Sequence, residues 1–229
     1  MPVITINGPI GAGSIAVGQQ VARDLHLNYV DRMVFAEAAR IIGSPVSILM
    51  AKEQRVERFG DRVTALLGRV LERAAVSGDY DLGVGIETLP ETYHELAGES
   101  SSRVQRVNDQ LFIDTTREVV RNLAQAGHVV IIGRGANVIL GDTPGVLHVG
   151  MLAPMSRRVE TIMEREHLGE EEARTYLEGL EEARVKFFEK FFKVSPQDPT
   201  LYHMMLDMGH MSDDTAAKII AHATGDLEH

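Results

Sequence analysis

Hydrophobic positions alternate with glycine-rich breaks along the chain in a way that predicts its elements. Val3-Ile4-Thr5-Ile6 is a β-branched run ending at Asn7, the pattern of a short strand. Gly8-Pro9-Ile10-Gly11-Ala12-Gly13 interrupts it, and from Ser14 to Leu25 the residues Ile15, Val21, Ala22 and Leu25 fall at helical spacing. Asn28-Tyr29-Val30 reads as a second short strand, ended by Asp31-Arg32, and Met33 to Ile42 returns to a helical pattern. Strand, turn, helix, strand is the opening of an alternating β/α chain. Ser44-Pro45 then supplies an N-cap and a first-turn proline for a helix over Val46 to Phe59, and Asp61 caps another through Ala75. Ser77 to Ser102, with several glycines and few periodic apolar positions, predicts a long loop.

The second half repeats the alternation. Arg103 to Ala126 predicts a long helix through Val104, Val107, Leu111, Val119 and Leu123, stopped by Gly127. His128 to Ile132 reads as a buried strand ended by Gly133-Arg134-Gly135, and Val146 to Leu152 as another strand after the Thr143-Pro144-Gly145 turn. Ser156 to Glu166 and Glu170 to Phe192 are helical and strongly charged. Pro196 to Pro199 breaks the chain before a last strand predicted over Leu201 to Met208, and a helix from Asp213 to Ala223 closes it. The class is α/β with a parallel sheet, and no internal repeat is present.

Composition narrows the partners. The 229 residues are 44% hydrophobic and 24% charged, enough apolar material for one sizeable core, so residues 1–226 are expected to form a single domain. Leu227-Glu228-His229 reads as the remnant of a purification tag. With 23 Lys and Arg against 33 Asp and Glu, the net charge of −10 disfavours nucleic acid and anionic membranes as partners, while leaving open a small anion held by a few arginines. The absence of cysteine excludes disulfides and thiolate chemistry. No stretch approaches the ~20 apolar residues of a membrane helix, and no basic-then-apolar leader opens the sequence, which predicts a soluble cytoplasmic protein.

The chemistry concentrates at Gly8-x-x-Gly11-x-Gly13, between a predicted strand and helix, where successive backbone N–H groups and a helix N-terminus converge as a phosphate site does. A complete P-loop reads Gly-x-x-x-x-Gly-Lys-Ser/Thr. Gly8 and Gly13 fit that spacing, with Ser14 at the lysine position and Ile15 at the hydroxyl position. Together with Tyr29-Val30-Asp31-Arg32, Val130-Ile131-Ile132-Gly133-Arg134-Gly135, Leu152-Ala153-Pro154, the arginines from Arg157, Glu181-x-x-Arg184 with Phe187-Phe188, and Pro199-x-x-Tyr202, the loop makes the sequence resemble the cytidylate kinase-like family of nucleoside monophosphate kinases. The blocks recur in the same order over nearly the whole length except about 45 to 105.

That resemblance implies a P-loop NTPase-type three-layer fold with a five-stranded parallel sheet, a helical insert at about 45–105 and an arginine-containing lid at about 155–195. It implies ATP and Mg2+ as cofactors and small-molecule nucleotides as partners. Gly8, Gly11, Ala12, Gly13 and Ser14 would cradle donor phosphates, Arg134 and Arg184 would hold acceptor or transferring phosphate, Asp31 would orient the acceptor, and Arg157, Arg158 and Glu181 would belong to the lid. The chain departs from the family pattern at Ser14 and Ile15, at Gly135 where an acidic residue stands near the cytosine, at Ile132, which leaves that strand without an acid to support Mg2+, and at Leu177 and Glu181 where the lid pattern has Arg and Asp. The function expected is ATP-dependent phosphoryl transfer to a nucleoside monophosphate, cytidine monophosphate among them, or to a related phosphate acceptor. The alternative is a catalytically inactive nucleotide-binding sensor or a homo-oligomeric module using the 45–105 insert. No metal ligand set is assigned: Tyr202 to Met211, with its methionines and histidines, reads as core filling of the last strand, and Phe187, Phe188, Phe191 and Phe192 as a packed helix face.

Overall fold

The computed structural model describes residues 2–31 and 103–226. The helices expected between 33 and 75, the loop at 77–102 and the residues at 227–229 lie outside the described residues. Five strands, β1 (Val3–Asn7), β2 (Asn28–Val30), β3 (Val129–Ile132), β4 (Val146–Leu152) and β5 (Met204–Asp207), form one sheet in the order β2-β3-β1-β4-β5. Every pairing is parallel, with Ile4 opposite Val130 and Leu147, and Met151 opposite Leu206. Helices α1 (Ser14–Asp24), α2 (Arg103–Ala126), α3 (Ala136–Leu140), α4 (Met155–Glu166), α5 (Glu170–Phe192) and α6 (Asp213–Asp226) surround it.

Side chains alternate across the sheet, so each apolar strand feeds two cores. On one face Ile4, Ile6, Val130, Leu147 and Val149 pack against Val17 and Val21 of α1 and Ala216, Ala217 and Ile220 of α6. On the other, Val3, Val129, Ile131 and Val146 pack against Val119, Val120 and Leu123 of α2 and Ala136 and Leu140 of α3. This is the three-layer architecture expected from the sequence. Burial of this kind, at roughly 25 cal/mol per Å² of apolar surface, is what fixes the strand ends that carry the site.

Two further clusters set the position of the charged helices. Phe187 and Phe188 of α5, both fully buried, pack with Ile113 of α2, and Phe191, Phe192 and Val138 close the cluster. The Phe187 and Phe188 rings meet edge to face at 5.9 Å, a favourable aromatic geometry. Val159 and Ile162 of α4 interlock with Ala173 and Leu177 of α5, and Ile10 of the glycine loop leans against this pair. Leu177, an unexpected residue for the lid pattern, is thus a core residue with no exposed surface.

The last strand is shorter than the Leu201–Met208 run predicts. Pro199–Leu201 forms a 3-10 turn, capped by the Asp198 carboxylate accepting from the Thr200 amide at 2.9 Å, and only Met204–Asp207 pairs with β4. Tyr202, in extended conformation between them, turns inward: its hydroxyl donates to the Pro196 carbonyl (2.7 Å) and accepts from Asn7 Nδ2 (2.9 Å). Burial raises the Tyr202 pKa, which keeps that hydroxyl protonated. The end of β1, where the glycine loop starts, is therefore pinned from across the molecule.

Candidate functional site

A cleft of about 250 Å³ opens at the carboxyl ends of β1, β2 and β3, the edge where open α/β sheets bind ligands. Residues Asn7 to Ala16 form one wall, Asp31 after β2 and Ile132-Gly133-Arg134 after β3 form another, and Thr161, Arg165 and Arg184 reach in from α4 and α5. Of the residues singled out from sequence, Gly8, Gly11, Ala12, Gly13, Ser14, Asp31, Arg134 and Arg184 all line it.

The glycine loop owes its shape to left-handed backbone at Gly11 (φ +81°) and Gly13 (φ +89°), which a residue with a Cβ adopts only with strain. Gly11 is tight in space as well: a Cβ there would lie 2.7 Å from the Arg158 carbonyl oxygen. Gly13 hands over to α1 as its N-cap, with no acidic residue in the first turn, so the positive end of the helix dipole faces the cleft unneutralised by its own helix. The Ser14 hydroxyl is buried beside it and has no hydrogen-bond partner among the described residues.

Across the cleft, Gly133, Arg134 and Gly135 take φ values of +69°, +57° and +68°, three consecutive left-handed residues. Arg134 sits in that conformation between two glycines that accept it without penalty, at a cost of about 1–2 kcal/mol for the arginine itself. The turn ends β3 abruptly, lets α3 begin at Ala136, and folds Arg134 inward until 4% of it is exposed. Strain of this kind at the rim of a cleft is characteristic of functional positions. The space beside Gly135 is taken by Phe192, whose ring carbon Cε2 would lie 2.3 Å from a Cβ at that position. The acidic residue of the family pattern has no room here.

Glu181 links α4 and α5 to the glycine loop. Its carboxylate accepts four hydrogen bonds: from Arg184 Nη2 (2.7 Å) and Nε (3.1 Å), from Arg158 Nη2 (3.2 Å), and from the Ile10 amide (3.0 Å). Arg158 Nε donates in turn to the Ile10 carbonyl at 2.7 Å, so both polar groups of one loop residue are gripped from α4 and α5. Arg158 and Arg184 are 8% and 3% exposed. Burial lowers the Arg158 pKa, and Glu181 opposes that shift while Arg184 adds to it. One carboxylate thus balances two buried guanidinium groups.

Arg157 faces away from the cleft. Its guanidinium reaches the Met211 carbonyl (3.4 Å) and Asp213 (3.5 Å) near the start of α6. Arg158 acts on the loop from behind rather than lining the cleft. Arg165, by contrast, was not singled out by sequence, where it lies in a run of mixed charge. Its signal was the spacing Arg158, Thr161, Arg165, which puts one face of α4 toward the loop. Among the described lining residues the cations are Arg134, Arg165 and Arg184 and the one carboxylate is Asp31, so the cleft is cationic in a protein of net charge −10. No group of three or more His, Asp and Glu side chains suited to a metal ion occurs among the described residues, and no helix among them is long and apolar enough to cross a membrane.

The sheet order, the glycine loop and the helical pair closing over it define an α/β protein of the P-loop kinase type. The sequence pattern of the Cytidylate kinase-like family matches residues 3–210, and the chain belongs to that family. A cytidylate kinase from Methanopyrus kandleri is 27% identical over 176 residues, covering 73% of this chain and 90% of its own length. An uncharacterised protein from Eubacterium ventriosum, solved by crystallography, aligns over 98% of both chains with a TM-score of 0.62 at 16% identity. A shikimate kinase from Acinetobacter baumannii aligns over 99% of this chain and 94% of its own, with a TM-score of 0.48 at 14% identity.

Proposed function

We propose that the protein is a nucleotide kinase-like phosphotransferase that moves the γ-phosphoryl group of ATP, with Mg2+, onto the phosphate of a nucleoside monophosphate, cytidine monophosphate being the first candidate. The observation that carries this is the convergence of the glycine loop, Arg134 and Arg184 on one cleft, from three different elements. Membership of the Cytidylate kinase-like family supports the same class of chemistry.

In such a transfer the bond from the γ-phosphorus to the β–γ bridging oxygen breaks, its electron pair leaving with ADP, and a bond forms to an acceptor phosphate oxygen. That oxygen is already anionic, so no general base is needed and catalysis reduces to alignment and neutralisation of charge. Gly11, Ala12, Gly13 and Ser14 would hold donor phosphates at the N-terminus of α1. Arg134 would grip the acceptor phosphate, Arg184 the transferring group, and Asp31, which follows β2, would orient the acceptor. Planar guanidinium forks suit phosphate oxygens better than point charges do.

The oxygen donors that line the cleft include the Asp31 carboxylate and the Ser14 hydroxyl. This set fits Mg2+, which binds with one or two protein oxygens, several waters and the substrate's own phosphates. Asp31 and Ser14 would hold it, and when bound it would neutralise charge on the donor phosphates.

The test is incubation of the protein with ATP, Mg2+ and each nucleoside monophosphate in turn, following ADP and the new diphosphate by chromatography, with Arg134→Ala as the contamination control. Acceptor-dependent turnover that falls about a hundredfold or more in the variant is expected, the usual effect of losing one oriented charge-stabilising group. Silence across the panel with ATP still bound would refute the transferase and leave a nucleotide sensor.

A further inference from the structure

The end of β1 with the glycine loop lines one side of the cleft and the turn after β3 another, and a single buried hydroxyl stands behind both. We infer that Tyr202 is a positioning residue that couples the glycine-loop half of the cleft to the Arg134 half: its hydroxyl holds Asn7, and its remaining lone pair takes the Asn137 amide when a ligand draws in the Arg134 turn. This coupling rests on the nucleotide cleft proposed above and adds the means by which its two halves respond to one another.

Asn7 ends β1, precedes the glycine loop and is itself a lining residue of the cleft. In the pairing of β1 with β4 it lies opposite Gly150, and that glycine lets the Tyr202 ring close on the sheet: a Cβ at Gly150 would stand 3.0 Å from the ring's Cγ. The hydroxyl thereby accepts from Asn7 Nδ2 at 2.9 Å and donates to the Pro196 carbonyl, just beyond the end of α5, at 2.7 Å. A phenolic oxygen has one proton and two lone pairs. Pro196 takes the proton and Asn7 one lone pair, so one acceptor position is left.

Asn137 supplies a donor for it. This residue belongs to the first turn of α3, just after the left-handed run Gly133-Arg134-Gly135. The Gly133 amide donates to the Ile6 carbonyl at 2.9 Å, which ties that run to β1 beside Asn7. Asn137 is 2% exposed, and neither its Oδ1 nor its Nδ2 has a hydrogen-bond partner among the described residues. The amide nonetheless lies close to the Tyr202 hydroxyl: burial raises the Tyr202 pKa, and Arg184, Asn7 and Asn137 each oppose that shift. A buried amide left unpaired is costly, so a small movement of α3 that brings Nδ2 onto the hydroxyl defines a second, better satisfied state. Arg134 lines the cleft from the same turn, and a ligand that engages it biases that movement. Asn137, Tyr202 and Asn7 are then joined in one row, and by linkage a ligand on the glycine loop favours the turn's second state to the same extent.

The experiment is calorimetric titration of the β,γ-imido analogue of ATP into the full chain, alone and with each nucleoside monophosphate in turn at saturation, for the wild type, Tyr202→Phe, Asn137→Ala and Asp198→Ala. Asp198→Ala weakens the 3-10 turn that leads into Tyr202 and leaves the partners of the hydroxyl in place, so it controls for local destabilisation. In the wild type a monophosphate is expected to tighten the analogue about fivefold, the equilibrium effect of one neutral hydrogen bond. Tyr202→Phe and Asn137→Ala should reduce that factor to below about twofold while changing the affinity for the analogue alone by less than about threefold, and Asp198→Ala should keep it. Far-ultraviolet circular dichroism identifies variants that fold, and Asn137→Ala, which removes no hydrogen bond found among the described residues, carries the test if Tyr202→Phe does not fold. A wild type that binds the analogue with an affinity no monophosphate changes overturns the coupling alone. So does a folded Tyr202→Phe or Asn137→Ala protein that retains the full factor, or an Asp198→Ala protein that loses it equally. A wild type that binds neither the analogue nor any monophosphate removes the nucleotide cleft and the coupling with it.

Discussion

Replacement of Glu181 exposes how helices α4 and α5 and the glycine loop are held together. Glu181→Ala removes one carboxylate and leaves four donors without their acceptor: Arg184 Nε and Nη2, Arg158 Nη2 and the Ile10 amide. Breaking a buried ion pair by deleting one partner costs about 3–5 kcal/mol, because the charge left behind is uncompensated. The Glu181 side chain retains 16% exposure, which lets water reach part of the site and places the expected loss near the lower end, about 3 kcal/mol. For a chain of this size each kcal/mol lowers the melting midpoint by about 2–4 °C, so a shift of about 6–12 °C is expected. Glu181→Gln should cost nearly as much, since its amide group would point a donor at the donors of Ile10 or Arg158. Glu182→Gln, one residue along on the exposed face where it meets Lys186, should change stability by less than about 0.5 kcal/mol. Urea unfolding followed by circular dichroism measures all three. A Glu181→Ala protein within 1 kcal/mol of wild type would refute the clamp.

Three other consequences are open to measurement. Gly11→Ala forces a Cβ to within 2.7 Å of the Arg158 carbonyl at a φ of +81°, and should cost about 2–4 kcal/mol in urea unfolding and weaken ATP; full stability in the variant would contradict the loop geometry. Tyr202→Phe leaves buried Asn7 Nδ2 and the Pro196 carbonyl without their partner and should cost about 1–3 kcal/mol by the same method, a neutral result counting against the anchor on β1. His148 is held by the Gly141 carbonyl at Nε2 and by the Thr5 hydroxyl at Nδ1, and burial lowers its pKa below 6.5, with His203 lowering it further and Asp142 opposing. The unfolded chain therefore binds the extra proton first, so stability is full above about pH 6.5 and declines as the pH falls through that value toward the folded pKa. Unfolding midpoints at pH 7.5 and 5.5 should differ more in wild type than in His148→Gln, and equal differences would exclude His148 as a source.

The strands were legible because parallel strands buried on both faces leave largely apolar runs: Val129–Ile132 is unbroken, and Val146–Leu152 is broken only by His148 and Gly150. Helix α3 was not, since five residues opening on Gly135 without a side-chain cap carry neither periodicity nor a start signal. The last strand was overextended because Leu201 and Tyr202 look strand-like, whereas the Asp198 cap and Pro199 impose a 3-10 turn that only the tertiary anchor of Tyr202 makes permanent. In the cleft, the glycine loop, Asp31 and Arg134 announced themselves by their place after strands. Arg184 stood out by its spacing after Glu181, but the division of labour among Arg157, Arg158 and Arg165 did not, because all of them lie in helices with the same mixture of charges. What separates them is which carboxylate each meets: Asp213 for Arg157, Glu181 for Arg158 and Arg184, Glu166 for Arg165. Those partners are distant in sequence or fixed by packing, and Leu177, which locks α4 to α5, looks in sequence like a lost arginine.

The central claim, a donor and an acceptor phosphate facing each other across one cleft, is tested most directly by a bisubstrate ligand in which adenosine and cytidine are joined through five phosphates. Calorimetry on the full chain should show one ligand bound per chain, at least about tenfold more tightly than ATP, because one molecule fills both halves of the site. Arg134→Ala should abolish that advantage while leaving ATP binding in place. Affinity no better than that of ATP, or an advantage indifferent to Arg134, would contradict the account.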